Sequence, residues 1–187
     1  YNLDTLTLPI TFKTIEPTGF TFHPLGYPGV EMTPKQILEE HPKGMAYAHL
    51  LEQYDRYPLL IDAKGLVLSM PPIINSEETK CRIGSTRLFI DVTGPSMQAI
   101  SDSLNILVWA ISDLGGTIKT VDIKYPDRSE VQPVLAPQEM DISFQAAVKW
   151  LGVDFTHEEF QRCTRKMRLD IDPLGDAEND KYKIAFP

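Results

Sequence analysis

Cysteine is scarce in this chain of 187 residues: Cys81 and Cys163 stand far apart, and neither has a partner at metal-ligand spacing. That pattern excludes a zinc site and a disulfide framework, and it fits a reducing compartment, the cytoplasm. Positive charge is short too. Eighteen Lys and Arg against 26 Asp and Glu give a net charge of −8, the wrong sign for a domain that grips nucleic acid by overall charge. Any contact with a phosphate backbone must then be local. No apolar run approaches the ~20 residues of a membrane span. The strongest enzyme signatures are missing as well: no Gly-x-Ser-x-Gly elbow, no glycine loop ending in Lys-Ser or Lys-Thr, and no His-Glu-x-x-His helix. With 42% hydrophobic and 24% charged residues, what remains is an ordinary globular chain with material for a core.

The chain opens with Tyr1-Asn2-Leu3-Asp4-Thr5 and closes on the strand-like Lys181 to Pro187, and both ends read as cuts from something longer. Within the first 30 residues, Pro9, Pro17, Pro24 and Pro28 punctuate β-prone runs at Ile10 to Ile15 and Phe20 to His23, an extended entry segment. Thr33-Pro34 sets a capping hydroxyl before a proline at the first helical position, which predicts a short helix from Lys35. A second helix is expected over Met45 to Gln53. The runs Tyr57 to Ile61 and Leu66 to Met70, joined through Asp62-Ala63-Lys64-Gly65, predict a β-hairpin ended by Pro71-Pro72.

Arg87 to Thr93 is β-branched and largely apolar, which predicts a central strand buried on both faces. After Gly94-Pro95 the spacing of Ile100, Leu104, Leu107, Val108, Ile111 and Leu114 predicts a helix with one core-facing stripe, stopped by Gly115-Gly116. Thr117 to Lys124 and Val131 to Leu135 are expected to pair across Tyr125-Pro126-Asp127, with Pro133 favouring an edge. Two helices follow, Phe144 to Leu151 and His157 to Met167, the second capped by Thr156. Strands at Leu169 to Ile171 and Tyr182 to Phe186 flank an acidic loop. Helix, turn, helix and ribbon together predict a winged-helix-like module whose final strand is cut short. The fold class expected is α/β: a mixed α+β sheet with flanking helices, followed by that incomplete module.

For chemistry, His23, His41, His49 and His157 are scattered, and a surface or satisfied-core role outweighs a catalytic one for each. Arg162, Arg165, Lys166 and Arg168 read first as a solvated helix face. The unusual stretch is Leu66 to Lys80, where an apolar strand meets a Pro-Pro corner and then Asn75-Ser76-Glu77-Glu78. Two prolines fix the direction of the chain, so polar groups after them can be held beside apolar walls, as in a small-ligand pocket. A stiff surface loop is the competing account. Asp91 and Thr93 interrupt an apolar run at i, i+2 spacing, and buried polar groups must be bonded or face a cavity.

The run Val67-Leu68-Ser69-Met70-Pro71-Pro72-Ile73-Ile74-Asn75, with Phe89-Ile90-Asp91-Val92-Thr93-Gly94 some fifteen residues later, resembles the beta subunit of phenylalanyl-tRNA synthetase of the archaeal and eukaryotic cytosolic type. Tyr1-Asn2-Leu3-Asp4-Thr5-Leu6, Tyr57-Pro58-Leu59 and Asp62-x-x-Gly65 are similar to the same family, so the likeness spans most of the chain. The resemblance implies a tRNA-editing domain at residues 1–136 that hydrolyses tyrosine wrongly attached to the phenylalanine tRNA, and the start of a winged-helix-like domain at 137–187. It implies partners, namely the 3′-end of the tRNA and an alpha subunit in a heterotetramer. It implies no cofactor or metal for editing, with ATP and Mg²⁺ serving the whole synthetase. A non-catalytic scaffold or tRNA-docking domain is the alternative.

By the same resemblance, Leu60, Ser69, Asn75, Asp91 and Thr93 occupy the editing pocket; Glu77, a polar residue the sequence offers beside them, is a further expected substrate-binding residue. The catalytic group is Asn75, Asp91 and Thr93: Asp91 senses the phenol or the amine, and the other two orient substrate and water. Glu77 or Glu78 is a candidate weak base, and Lys80, Arg82 or Arg87 candidate donors to the terminal adenosine. An activated ester needs only a well-placed water, so the missing protein nucleophile is no objection.

Overall fold

A computed structural model describes residues 1–175 and 180–186. The chain forms two compact units, Tyr1–Ser103 and Leu104–Pro187. The acidic loop expected before the last strand falls at 176–179, outside the described residues, and among those that are described no helix is long and apolar enough to cross a membrane.

In the first unit, β1 (Thr11–Ile15), β2 (Tyr57–Ile61), β3 (Val67–Met70) and β4 (Ile74–Asn75) form an antiparallel sheet in the order β1-β2-β3-β4. The hairpin expected around Asp62 to Gly65 is present. Gly65 supplies the left-handed φ of +84° that the turn requires, a backbone state that costs glycine nothing. Asp62 stabilises the turn from its start: its carboxylate accepts from Lys64 N and Leu66 N at 2.8 Å and from Thr7 N at 2.9 Å. Side chains alternate across a strand. One sheet face accordingly sends Leu59, Met70 and Ile74 into a core shared with Ile15, Phe22, Ile37 and Leu38.

Helix α1 (Pro34–Glu40) begins as the Thr33-Pro34 pair predicts, with a full capping box between Thr33 and Gln36. Helix α2 (Pro42–Tyr47) starts three residues earlier than expected and gives way to a 3₁₀ turn at Ala48–Leu50. Pro42 pre-sets the helical φ, and His41 caps by accepting from Lys43 N at 3.2 Å, a start signal that outcompetes the apolar spacing further on. The two helices close on each other at Gly44, where an added Cβ would lie 1.6 Å from the Ile37 carbonyl oxygen.

Two expectations are corrected here. Arg87 to Thr93 is not a buried central strand. Its one β-bridge pairs Leu88 with Asn2, and Leu88, Asp91 and Thr93 are exposed. Its backbone is held by the entry residues instead: Tyr1 N and Phe89 O, Phe89 N and Tyr1 O, and Leu3 N and Arg87 O are donor–acceptor pairs at 2.8–2.9 Å. β-propensity reports fit to a pleated surface, and here the surface offered is three residues of an edge. Helix α3 (Met97–Asp113) forms, but of its residues only Val108 is buried; Leu107 is exposed, as is Leu114 just beyond its end. Periodicity identifies the apolar stripe of a helix without saying what covers it.

In the second unit, β5 (Val121–Lys124) and β6 (Ser129–Gln132) pair as a hairpin, shorter than expected, with Pro133 just outside it. The closing module has one strand more than the sequence reading allowed. β7 (Gln138–Ser143) lies beside β9 (Lys181–Phe186), which is flanked on its other side by β8 (Asp170–Pro173) in the order β7-β9-β8. The alternation of Met140 and Ile142 with polar residues was the available signal, masked by its four polar neighbours. Helices α4 (Phe144–Leu151) and α5 (His157–Lys166) match expectation, the latter with a capping box between Thr156 and Glu159. Phe144, Ile171, Tyr182 and Ile184 make this module's core.

Candidate functional site

The sheet face opposite the first core carries the site. Leu60 is the cross-strand partner of Ser69, and Ser69 that of Asn75, so the three form one row across β2, β3 and β4. The Pro71-Pro72 corner links β3 to β4, and its peptide bond is cis. Beside it opens a cleft of about 150 Å³ lined by Ser69, Asn75, Asp91 and Thr93, by apolar Leu25, Pro71, Pro72, Ile73 and Ile74, and by Tyr1 and Lys43.

The structure therefore brings together four of the six site residues expected from the sequence. Leu60 stays in their cross-strand row but does not line the cleft. Glu77 is elsewhere: its carboxylate accepts from Gly26 N at 3.0 Å and holds Lys80 in an ion pair. Those contacts, the Lys80 bond foremost, depress its pKa. Glu78 is bonded to both His23 and Ser76. Among the candidate adenosine donors, Lys80 is held by Glu77 and Arg87 by Asp4 at 3.0 Å. Asp91 and Thr93 reach the cleft from an irregular edge rather than from a strand, so their shared orientation is set by the Tyr1–Phe89 backbone pairing.

Sequence reasoning missed Tyr1, Leu25 and Lys43. No local motif marks them. Leu25 is tied in through its N–H, which donates to Asn75 O at 2.9 Å, and Lys43 is carried by the first turn of α2.

Ser69 is 2% exposed, and its hydroxyl is enclosed without a hydrogen bond of good geometry. The Tyr1 hydroxyl donates to Asn75 Oδ1 at 3.4 Å. Burial pushes the Tyr1 phenol pKa up; a hydrogen bond with the Ser69 hydroxyl works against this and the Asp91 charge adds to it. Asp91 is itself raised, by the protein packed around its carboxyl. Because Asp91 as a residue is exposed, its hydration is lost only in part. The cleft thus brings hydroxyl, amide and carboxyl groups together beside a few apolar side chains.

No protein-family model matches the chain. It is similar to the phenylalanine–tRNA ligase beta subunit of Pyrococcus furiosus, 38% identical over 188 aligned residues covering all of this chain and 33% of that protein. The corresponding subunits of Archaeoglobus fulgidus and Methanococcus maripaludis are 37% and 40% identical, over 100% and 91% of this chain and 33% and 30% of theirs. Among solved structures, the crystal structure of an N-terminal fragment of the phenylalanyl-tRNA synthetase beta subunit from Pyrococcus horikoshii superposes with a TM-score of 0.93. At 36% identity it covers all of this chain and 52% of that one. The resemblance first carried by the Ser-Met-Pro-Pro run therefore extends along the whole chain, which matches part of the phenylalanine–tRNA ligase beta subunit and spans about a third of the length of these relatives.

Proposed function

We propose, proceeding from that match, that the chain is the proofreading part of a phenylalanine–tRNA ligase beta subunit and hydrolyses tyrosine esterified to the phenylalanine tRNA. The observation that carries the reading is the convergence of Ser69, Asn75, Asp91 and Thr93 on one cleft beside Leu25 and the proline corner. A synthetic pocket shaped for phenylalanine rejects an added hydroxyl only weakly, whereas a site built to hydrogen-bond that hydroxyl disfavours the ligand lacking it by up to ~10⁴–10⁵. Proofreading accordingly requires polar groups at the end of an apolar slot.

In this reading the aromatic ring lies between Leu25 and the proline corner. Ser69 and Asn75 bond the substrate's polar groups, Asp91 holds its phenol or amine, and Asn75 and Thr93 place the attacking water against the ester carbonyl. The water's oxygen bonds to that carbon, the ester C–O bond breaks, and the ribose oxygen leaves with a proton. Positioning supplies the acceleration, and no protein nucleophile takes part. Lys43 is the cation at the cleft available to the tRNA's terminal phosphates.

We assign the editing region to residues 1–136 and the winged-helix-like module to 137–187. An alpha subunit as partner, ATP and Mg²⁺ for aminoacylation, and a cytoplasmic setting belong to the same proposal. The test is incubation of the chain with tyrosyl-tRNA bearing the phenylalanine anticodon. Tyrosine release well above the protein-free rate, with phenylalanyl-tRNA spared, is expected. Release at the background rate by a chain that circular dichroism shows to be folded would overturn hydrolysis and leave the docking or scaffold role.

A further inference from the structure

Tyr1 is a phenol already resident among the polar groups of the cleft. Its ring is half-buried and lies 6.1 Å from that of Phe89. Its backbone is anchored by reciprocal bonds to Phe89 at 2.8 and 2.9 Å. Its hydroxyl donates to Asn75 Oδ1. A phenolic oxygen carries one donor and two acceptor lone pairs, so after donating to Asn75 it can still accept. It lines the cleft together with Ser69, whose hydroxyl is its hydrogen-bonding neighbour.

We propose that Tyr1 is a specificity-determining residue of this cleft, its hydroxyl accepting a hydrogen bond from the para-hydroxyl of an aromatic aminoacyl ligand while it donates to Asn75. This rests on the proofreading reading and extends it: the selecting element is a shared contact made by Tyr1 and Asn75 together. A bare benzyl ring arriving at the same place leaves the Tyr1 acceptor without a donor, which is the unfavourable half of the discrimination. Because the Tyr1 phenol pKa is pushed up by burial, the group stays protonated at neutral pH and keeps its donor role toward Asn75.

The experiment measures binding of stable amide analogues of 3′-tyrosyl- and 3′-phenylalanyl-adenosine to the chain and to its Tyr1→Phe form by calorimetry. Tyr1→Phe keeps the ring against Phe89 and removes only the oxygen, and circular dichroism checks that it folds. The expected result is a wild-type preference for the tyrosyl analogue that falls about five- to tenfold in Tyr1→Phe, with phenylalanyl affinity unchanged. A preference retained in full by Tyr1→Phe overturns the role of Tyr1 and leaves the proofreading reading standing. Equal weakening of both analogues makes Tyr1 a packing residue and overturns the role likewise. A wild-type chain that binds neither analogue, or both alike, overturns the two readings together. Tyr1→Leu, which removes the ring, is expected to lose the same preference and to weaken both ligands in addition; a Tyr1→Leu chain that keeps the preference counts against the role.

Discussion

Ser69 and Asn75 stand directly opposite each other across β3 and β4, on either side of the Pro71-Pro72 corner. Directly opposed residues of an antiparallel pair put their side chains on the same face. The corner therefore does two things at once: it reverses the chain, and it sets a hydroxyl and an amide side by side against one cleft. Met70 and Ile74, the next pair in the register, point the other way into the core, so site and core share the same two short strands.

Replacing Ser69 by Ala is expected to weaken discrimination between tyrosyl and phenylalanyl ligands about tenfold, while leaving stability unchanged or raised by about 1 kcal/mol. The gain follows from removing a buried hydroxyl that has no well-formed bond. Urea unfolding and ligand titration on the same sample check both halves, and a loss of stability would show that Ser69 has a structural partner.

For the proposed hydrolysis, Asp91 is expected to set a pH dependence whose sign follows from its raised pKa. The carboxylate form accumulates as pH rises through a value above the ordinary carboxylate range of about 4. Tyrosine release is expected to rise along that limb and level off toward neutrality. Asp91→Asn should remove the limb and lower the plateau about 10- to 100-fold, the worth of a hydrogen bond to a charged group. Glu77→Gln should leave the limb in place, because Glu77 is engaged with Gly26 and Lys80. A limb that survives in Asp91→Asn would transfer the titration to another group.

Acid sensitivity of the fold is expected to centre on Asp62. Its burial favours the protonated acid, yet its three backbone hydrogen bonds outweigh that and hold its pKa below the ordinary value. A depressed carboxylate stabilises the fold above its unfolded pKa of about 3.9, and that contribution is lost as pH falls through the folded value. Denaturant midpoints should therefore drop below about pH 4. Asp62→Ala, which orphans the N–H groups of Thr7, Lys64 and Leu66, is expected to cost about 3 kcal/mol at neutral pH and to flatten the acid dependence.

Gly44→Ala tests the contact between α1 and α2. The added methyl meets the backbone carbonyl of Ile37, which cannot swing aside as a side chain can. Destabilisation of about 3 kcal/mol is expected, read as a lowered thermal midpoint. A neutral outcome would mean that the helices part easily.

Much of the local structure was legible. The Thr33-Pro34 and Thr156 caps, the hairpin through Asp62 and Gly65, the helix after Pro95 and both helices of the closing module rest on short-range signals: a hydroxyl, a proline, a glycine, a period. The signals failed where the partner was remote. Arg87 to Thr93 has strand composition, but what pairs with it is Tyr1 to Leu3, more than 80 residues away in sequence. β7 is a modest alternation made a strand by β9.

The same division runs through the site. By itself the sequence determined which residue types surround the double proline, and its resemblance to a beta subunit singled out Ser69, Asn75, Asp91 and Thr93. Only the tertiary structure decided that these four share one cleft, that Glu77 is engaged elsewhere, and that Tyr1 and Lys43 belong with them. The physical reason is range: capping, turn and periodicity signals act over a few residues, whereas a cleft is a meeting of segments whose spacing along the chain carries no record of their distance in space.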